Sequence, residues 1–150
     1  VIQLGPITTT PQVNSVYLSS YNINELTFVV DISAPGVLYG VLVVANSSQA
    51  SPTAQQVFLG LDYMNSIPVA LVRLNPSQFG PNTLVFSNLQ PLQSYNLCVL
   101  VGNRDPNPAL NSTVVCLEKQ TQYPPSHITL QIKAATRLFC FVSVLLLLIL

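Results

Sequence analysis

From Leu26 to Asp31 the chain alternates. Leu26, Phe28 and Val30 fall on one side of an extended backbone, and Thr27, Val29 and Asp31 on the other. Similar short apolar stretches recur at Val16–Ser20, Val37–Ala45, Ile67–Asn75, Thr83–Leu89, Tyr95–Gly102 and Val114–Lys119. Between them lie turn residues: Pro35 with Gly36, then "NSSQASPT", "PSQFGPN" and "NRDPNPALN". Pro52–Gly60 carries the one convincing helical turn, with a proline in the first turn, good helix formers and a closing glycine. About seven short strands, each followed by a turn signal, predict an all-β fold. The expected architecture is an antiparallel two-sheet sandwich rather than alternating α/β units.

One stretch, "LQPLQSYNLCVLVGN" from Leu89 to Asn103, shows how two strands are joined. Leu89 closes the preceding strand toward the core and Pro91 fixes the crossover. Tyr95 enters the next strand with its ring inward, and its hydroxyl reaches back to the crossover backbone. Leu97, Val99 and Val101 follow Tyr95 at period two and share its face. The expected core comprises Leu26, Phe28, Val30, Leu89, Tyr95, Leu97, Val99, Val115 and Leu117.

This Leu89-x-Pro91-x-x-x-Tyr95 corner resembles that of the fibronectin type III family, whose members carry it before their sixth strand. The resemblance covers Tyr17 to Thr121 and implies an immunoglobulin-like sandwich. Gly36-Val37-Leu38-Tyr39 and the helical turn from Pro52-Thr53 to Gly60 are similar to features of divergent modules in large protist cell-surface proteins. The family usually places a tryptophan on its second strand; here Val30 holds that position and the chain has no tryptophan.

Cys98 lies three residues after Tyr95 and so faces away from the core. Cys116 is its natural partner: direct opposition of the two centres a hairpin on Asn107, within "DPNPA". Cross-strand neighbours on one face of an antiparallel pair stand close enough for a disulfide. The alternative is two unpaired, half-buried thiols.

Only 7% of residues are charged, against about 25% in an average chain. Net charge is zero. With no basic patch to hold phosphates, nucleic acid is not an expected partner. The sequence also offers little to catalysis. Its single histidine, His127, stands alone, and Glu25, Asp31, Asp62, Asp105 and Glu118 are scattered without pairing. No nucleophile elbow, phosphate loop or Cys-x-x-Cys motif appears, and three separated cysteines do not make a metal site. No enzyme activity, cofactor or metal is expected.

Two glycosylation sequons fall in predicted loops, Asn46-Ser47-Ser48 and Asn111-Ser112-Thr113. Glycans there would keep so uncharged a domain in solution. The last thirteen residues, Leu138–Leu150, are unbroken and apolar. As a helix they would reach about 20 Å, short of a bilayer core of about 30 Å. A cleaved glycolipid-anchor signal is one reading, with Ser126 or Ala134 as attachment residue. A retained short membrane anchor and a buried terminal strand or helix are the others. Cleavage would remove Cys140 and leave an even cysteine count.

The expected organisation is therefore a linker or the end of a preceding module over 1–16, the sandwich over 17–121, a polar spacer over 122–137 and the apolar segment over 138–150. The expected role is a non-catalytic structural or adhesion module on the extracellular face of the plasma membrane. Its partners would be the membrane, through the tail, and other surface or extracellular proteins. The alternative is a ligand- or carbohydrate-binding module using loop 61–66, in which Tyr63 and Met64 stack on the ligand.

Overall fold

The computed structural model describes residues 10–102 and 113–122. Within them run seven strands and one helix: β1 Val13–Tyr21, β2 Leu26–Ile32, β3 Gly36–Val44, α1 Ala54–Leu59, β4 Ala70–Ser77, β5 Gly80–Phe86, β6 Ser94–Gly102 and β7 Val115–Gln120. They form two antiparallel sheets, ordered β1-β2-β5 and β4-β3-β6-β7. The expected antiparallel two-sheet sandwich is borne out.

The alternation in β2 does what its period requires. Leu26, Phe28, Val30 and Ile32 are fully buried between the sheets. Leu38 and Leu42 of β3, Leu84 and Phe86 of β5, and Tyr95, Leu97, Val99 and Val101 of β6 complete that layer, with Leu89 at its end. Phe28 meets Phe86 edge to face, with ring centroids 6.0 Å apart. Val30, on the same inward face, belongs to the same core cluster. Val115 and Leu117 only pack against the cluster, partly buried, because β7 is an edge strand.

A second apolar layer lies on the far side of the four-stranded sheet. Val37, Tyr39, Val41 and Val43 of β3 and Cys98 and Leu100 of β6 are buried there against Val57 of α1. Tyr39 and Phe58 meet at 5.1 Å between centroids. Strands β3 and β6 are thus covered on both faces, which is why "VLYGVLVV" and "LCVLV" are continuous apolar runs rather than alternating ones. The outward face of Cys98 is therefore also interior.

The helix that covers this face is held at both ends. Thr53 is its N-cap: Gln56 N–H donates to Thr53 Oγ1 at 3.3 Å, and Thr53 N–H donates to Gln56 Oε1 at 2.9 Å. Gly60 closes it with φ 70°, a left-handed conformation suited to glycine. Pro52, expected inside the first turn, stands one residue ahead of the cap and is buried.

Several boundaries differ from expectation. The first strand starts at Val13 rather than Val16, since Val13 pairs with Ile32 across a bulge. The fourth starts at Ala70 rather than Ile67, after Pro68, which has no N–H to give a ladder. The fifth ends at Phe86, so Leu89 reaches the core from a loop. Gly36, expected with Pro35 in a turn, is the first residue of β3, and positive φ among the described glycines is found at Gly60 and Gly80. Gly36 instead allows close approach: a Cβ there would run into the carbonyl oxygen of Gly102.

Candidate functional site

The β5–β6 crossover is tied to the core through Tyr95. Its ring is 2% exposed, and its hydroxyl accepts the Gln90 backbone N–H at 2.8 Å. The crossover residues Asn88 and Leu92 both adopt positive φ, 60° and 57°. Such turns by non-glycine residues cost free energy, and long-range contacts must hold them.

Thr121, unremarked in the sequence, supplies further contacts. Its hydroxyl donates to the Gln90 carbonyl at 2.7 Å and accepts from the Gln93 N–H at 3.2 Å. Its own N–H donates to the Gln93 carbonyl at 3.2 Å. The end of β7 therefore clamps the crossover from the other side. Thr121→Val keeps the shape and removes the hydroxyl. It is expected to cost about 1 kcal/mol in equilibrium urea unfolding, because the part-buried hydrogen bonds to the Gln90 carbonyl and from the Gln93 N–H are lost. An unchanged midpoint would mean that the clamp contributes nothing.

Cys98 and Cys116 form a disulfide between β6 and β7, with Cα atoms 4.1 Å apart. They are direct cross-strand partners in the ladder. Cys98 is fully buried beneath α1 and Cys116 partly so. The hairpin tip at Asn107 and the sequon at Asn111 lie outside the described residues.

The second sequon is on view. Asn46 is exposed just past β3, and its Oδ1 accepts from Ser48 N–H at 3.2 Å and Ser48 Oγ–H at 2.9 Å. Loop 61–66 stands nearby and is closed on itself. Asp62 Oδ1 accepts from the N–H groups of Met64 and Ser66, each at 2.8 Å, and Asp62 N–H donates to the Ser66 carbonyl at 2.9 Å. Gln56 of α1 donates from Nε2 to the Tyr63 carbonyl at 3.2 Å and to Asn65 Oδ1 at 3.0 Å. Tyr63 is half-buried and Met64 exposed. The groove beside them is about 180 Å³, below the ~300–1,000 Å³ of a small-molecule pocket.

The carboxylates of Glu25 and Asp31 are engaged in separate local roles. Glu25 Oε2 accepts from Ser87 Oγ at 3.1 Å, and Asp31 Oδ2 accepts from Asn14 Nδ2 at 3.1 Å. Arg73 lies 5.5 Å from the ring centroid of Tyr39. Among the described residues no three His, Cys, Asp or Glu groups stand close enough to hold a metal. Among them, too, no helix is long and apolar enough to cross a membrane. Asp105, His127, Ser126, Ala134 and the segment from Leu138 to Leu150 lie outside the described residues.

Fold and site together define an antiparallel β-sandwich with a tyrosine-locked crossover and one inter-strand disulfide. No family model and no curated protein matches the sequence. Among solved structures, a β-sandwich protein from a computer-based redesign is similar, with a TM-score of 0.48 and 13% identity, over 74% of this chain and 94% of that one.

Proposed function

We propose that this chain is a non-catalytic extracellular module of the fibronectin type III kind, acting as a spacer or adhesion domain. It is tethered to the plasma membrane through its C-terminal apolar segment and meets other surface or extracellular proteins. The observation that carries this reading is the Cys98–Cys116 disulfide. Structural disulfides persist in oxidising compartments and are rare in the cytosol. Tyr95 gives further support, since it stands at the entry to the sixth of seven strands with its hydroxyl bonded back into the crossover. The sequons at Asn46 and Asn111 and the uncharged run Leu138–Leu150 agree with a secretory route.

The test is phosphatidylinositol-specific phospholipase C treatment of intact cells displaying the chain. Release of a protein that ends at Ser126 or Ala134 is the expected outcome. Resistance to release, with Leu138–Leu150 still present by mass spectrometry, would replace the glycolipid anchor by a retained one. Absence from the surface would end the reading altogether.

A further inference from the structure

The amide nitrogen of Asn46 makes no hydrogen bond to the described residues, while its Oδ1 is held by Ser48, the third residue of its own sequon. The atom that would carry a glycan is thus free and the side chain is already oriented. Asn46 borders a cavity of about 20 Å³ together with Gln49, Tyr63 and Asn96. That volume suits one water molecule. Asn96 Oδ1 is buried with no hydrogen-bond partner, an arrangement that calls for a donor.

Tyr63, Val43 and Val44 line this cavity and also the neighbouring groove of about 180 Å³, whose further wall is Ile67, Pro68 and Val69. Val44 and Val69 are exposed, and Ile67 is 88% exposed. The one charged residue lining the groove is Asp62, whose Oδ1 already holds two backbone N–H groups. The side chains of Val44, Ile67 and Val69 thus leave apolar surface exposed along this groove.

We propose that the first N-acetylglucosamine of an Asn46-linked glycan packs its apolar face on Tyr63 and covers the adjoining groove. Its acetamide N–H reaches Asn96 Oδ1 through a water in the small cavity. Asn46 and Tyr63 border the same cavity, so the sugar next to Asn46 is the one within reach. The C–H bonds on one face of a pyranose meet the electron-rich face of the tyrosine ring. Covalent attachment keeps the sugar at high effective concentration, so weak stacking suffices. The loop is pre-set for it by Asp62 and by Gln56 on the Tyr63 carbonyl, so little ordering entropy is lost. This inference rests on the surface-glycoprotein reading above.

The test uses the full chain, made in eukaryotic secretory cells in an Asn111→Gln background, so that Asn46 alone can carry a glycan. Intact mass gives occupancy. In the glycosylated protein with ¹³C-labelled sugar, protons of the first residue are expected to shift upfield from the tyrosine ring current, and Tyr63→Ala should abolish the shift. Trimming to the first sugar with an endoglycosidase should preserve both shift and melting temperature. Complete removal should lower the melting temperature by about 4 °C, and in Tyr63→Ala that loss should largely vanish. An occupied Asn46 without ring-current shift, or with a loss on glycan removal that Tyr63→Ala leaves unchanged, overturns this inference alone. An unoccupied Asn46 overturns it and also removes one support of the surface reading.

Discussion

Tyr95→Ala is expected to destabilise the sandwich by about 3–5 kcal/mol, among the largest effects of any single substitution. Two losses combine. A ring that is 2% exposed leaves a cavity between the sheets, and the Gln90 N–H loses the hydroxyl that accepts it at 2.8 Å. A domain of this size has a total stability of about 5–15 kcal/mol, so the variant stands near the threshold of folding. Tyr95→Phe isolates the second loss and is expected to cost about 1 kcal/mol. Equilibrium guanidinium unfolding of both variants gives the comparison. If Tyr95→Ala matches the parent, or if the phenylalanine variant is as damaged as the alanine one, the lock described above is not what holds the crossover.

Breaking the Cys98–Cys116 disulfide is expected to cost about 3 kcal/mol. The cross-link closes a loop with a sequence separation of 18, and the entropy it removes from the unfolded chain scales with that length. Substitution must respect the buried side. Cys98→Ala with Cys116→Ala leaves a small apolar gap beneath α1, whereas Cys98→Ser puts a hydroxyl among Val41, Val57 and Leu100 and is expected to be worse. The check is denaturation of the parent with and without reductant, beside the double alanine variant, with peptide mapping to confirm the pairing. Two free thiols in the secreted protein, or identical midpoints with and without reductant, would contradict it.

These two sites differ in how they are written into the chain. Tyr95 announces itself through a local pattern, Leu89-x-Pro91-x-x-x-Tyr95 followed by alternation. The cysteine pair is announced by parity and by turn residues placed midway between the two. The structure returns the same direct pairing, Cys98 opposite Cys116. Thr121 left no comparable trace. A lone threonine at the end of a strand looks like any surface residue, and its value arises only because β7 ends beside Gln90 and Gln93. Asn82 is similar: its side chain bonds the Gln78 N–H and the carbonyls of Gln78 and Gly80, stabilising the step from one sheet to the other. Nothing in "PSQFGPN" distinguishes that step from an ordinary hairpin.

The sequence by itself determined which segments are extended, which face of β2 looks inward and how Tyr95 meets its crossover, and it pointed to Cys98 and Cys116 as partners. Each of these follows from sterics over a few residues: the two-residue repeat of a strand, the fixed φ of proline and the reach of one side chain back to its own crossover. Only the tertiary structure decided that α1 lies over the outer face of β3 and β6, making Cys98 interior, and that Gly36 is needed against Gly102 rather than for a turn. It also decided that Asn46, Tyr63 and Asn96 border one cavity. The residues in each of these groups are brought together by sheet order and by helix packing. A period along the chain carries no record of which distant segment will supply the neighbour.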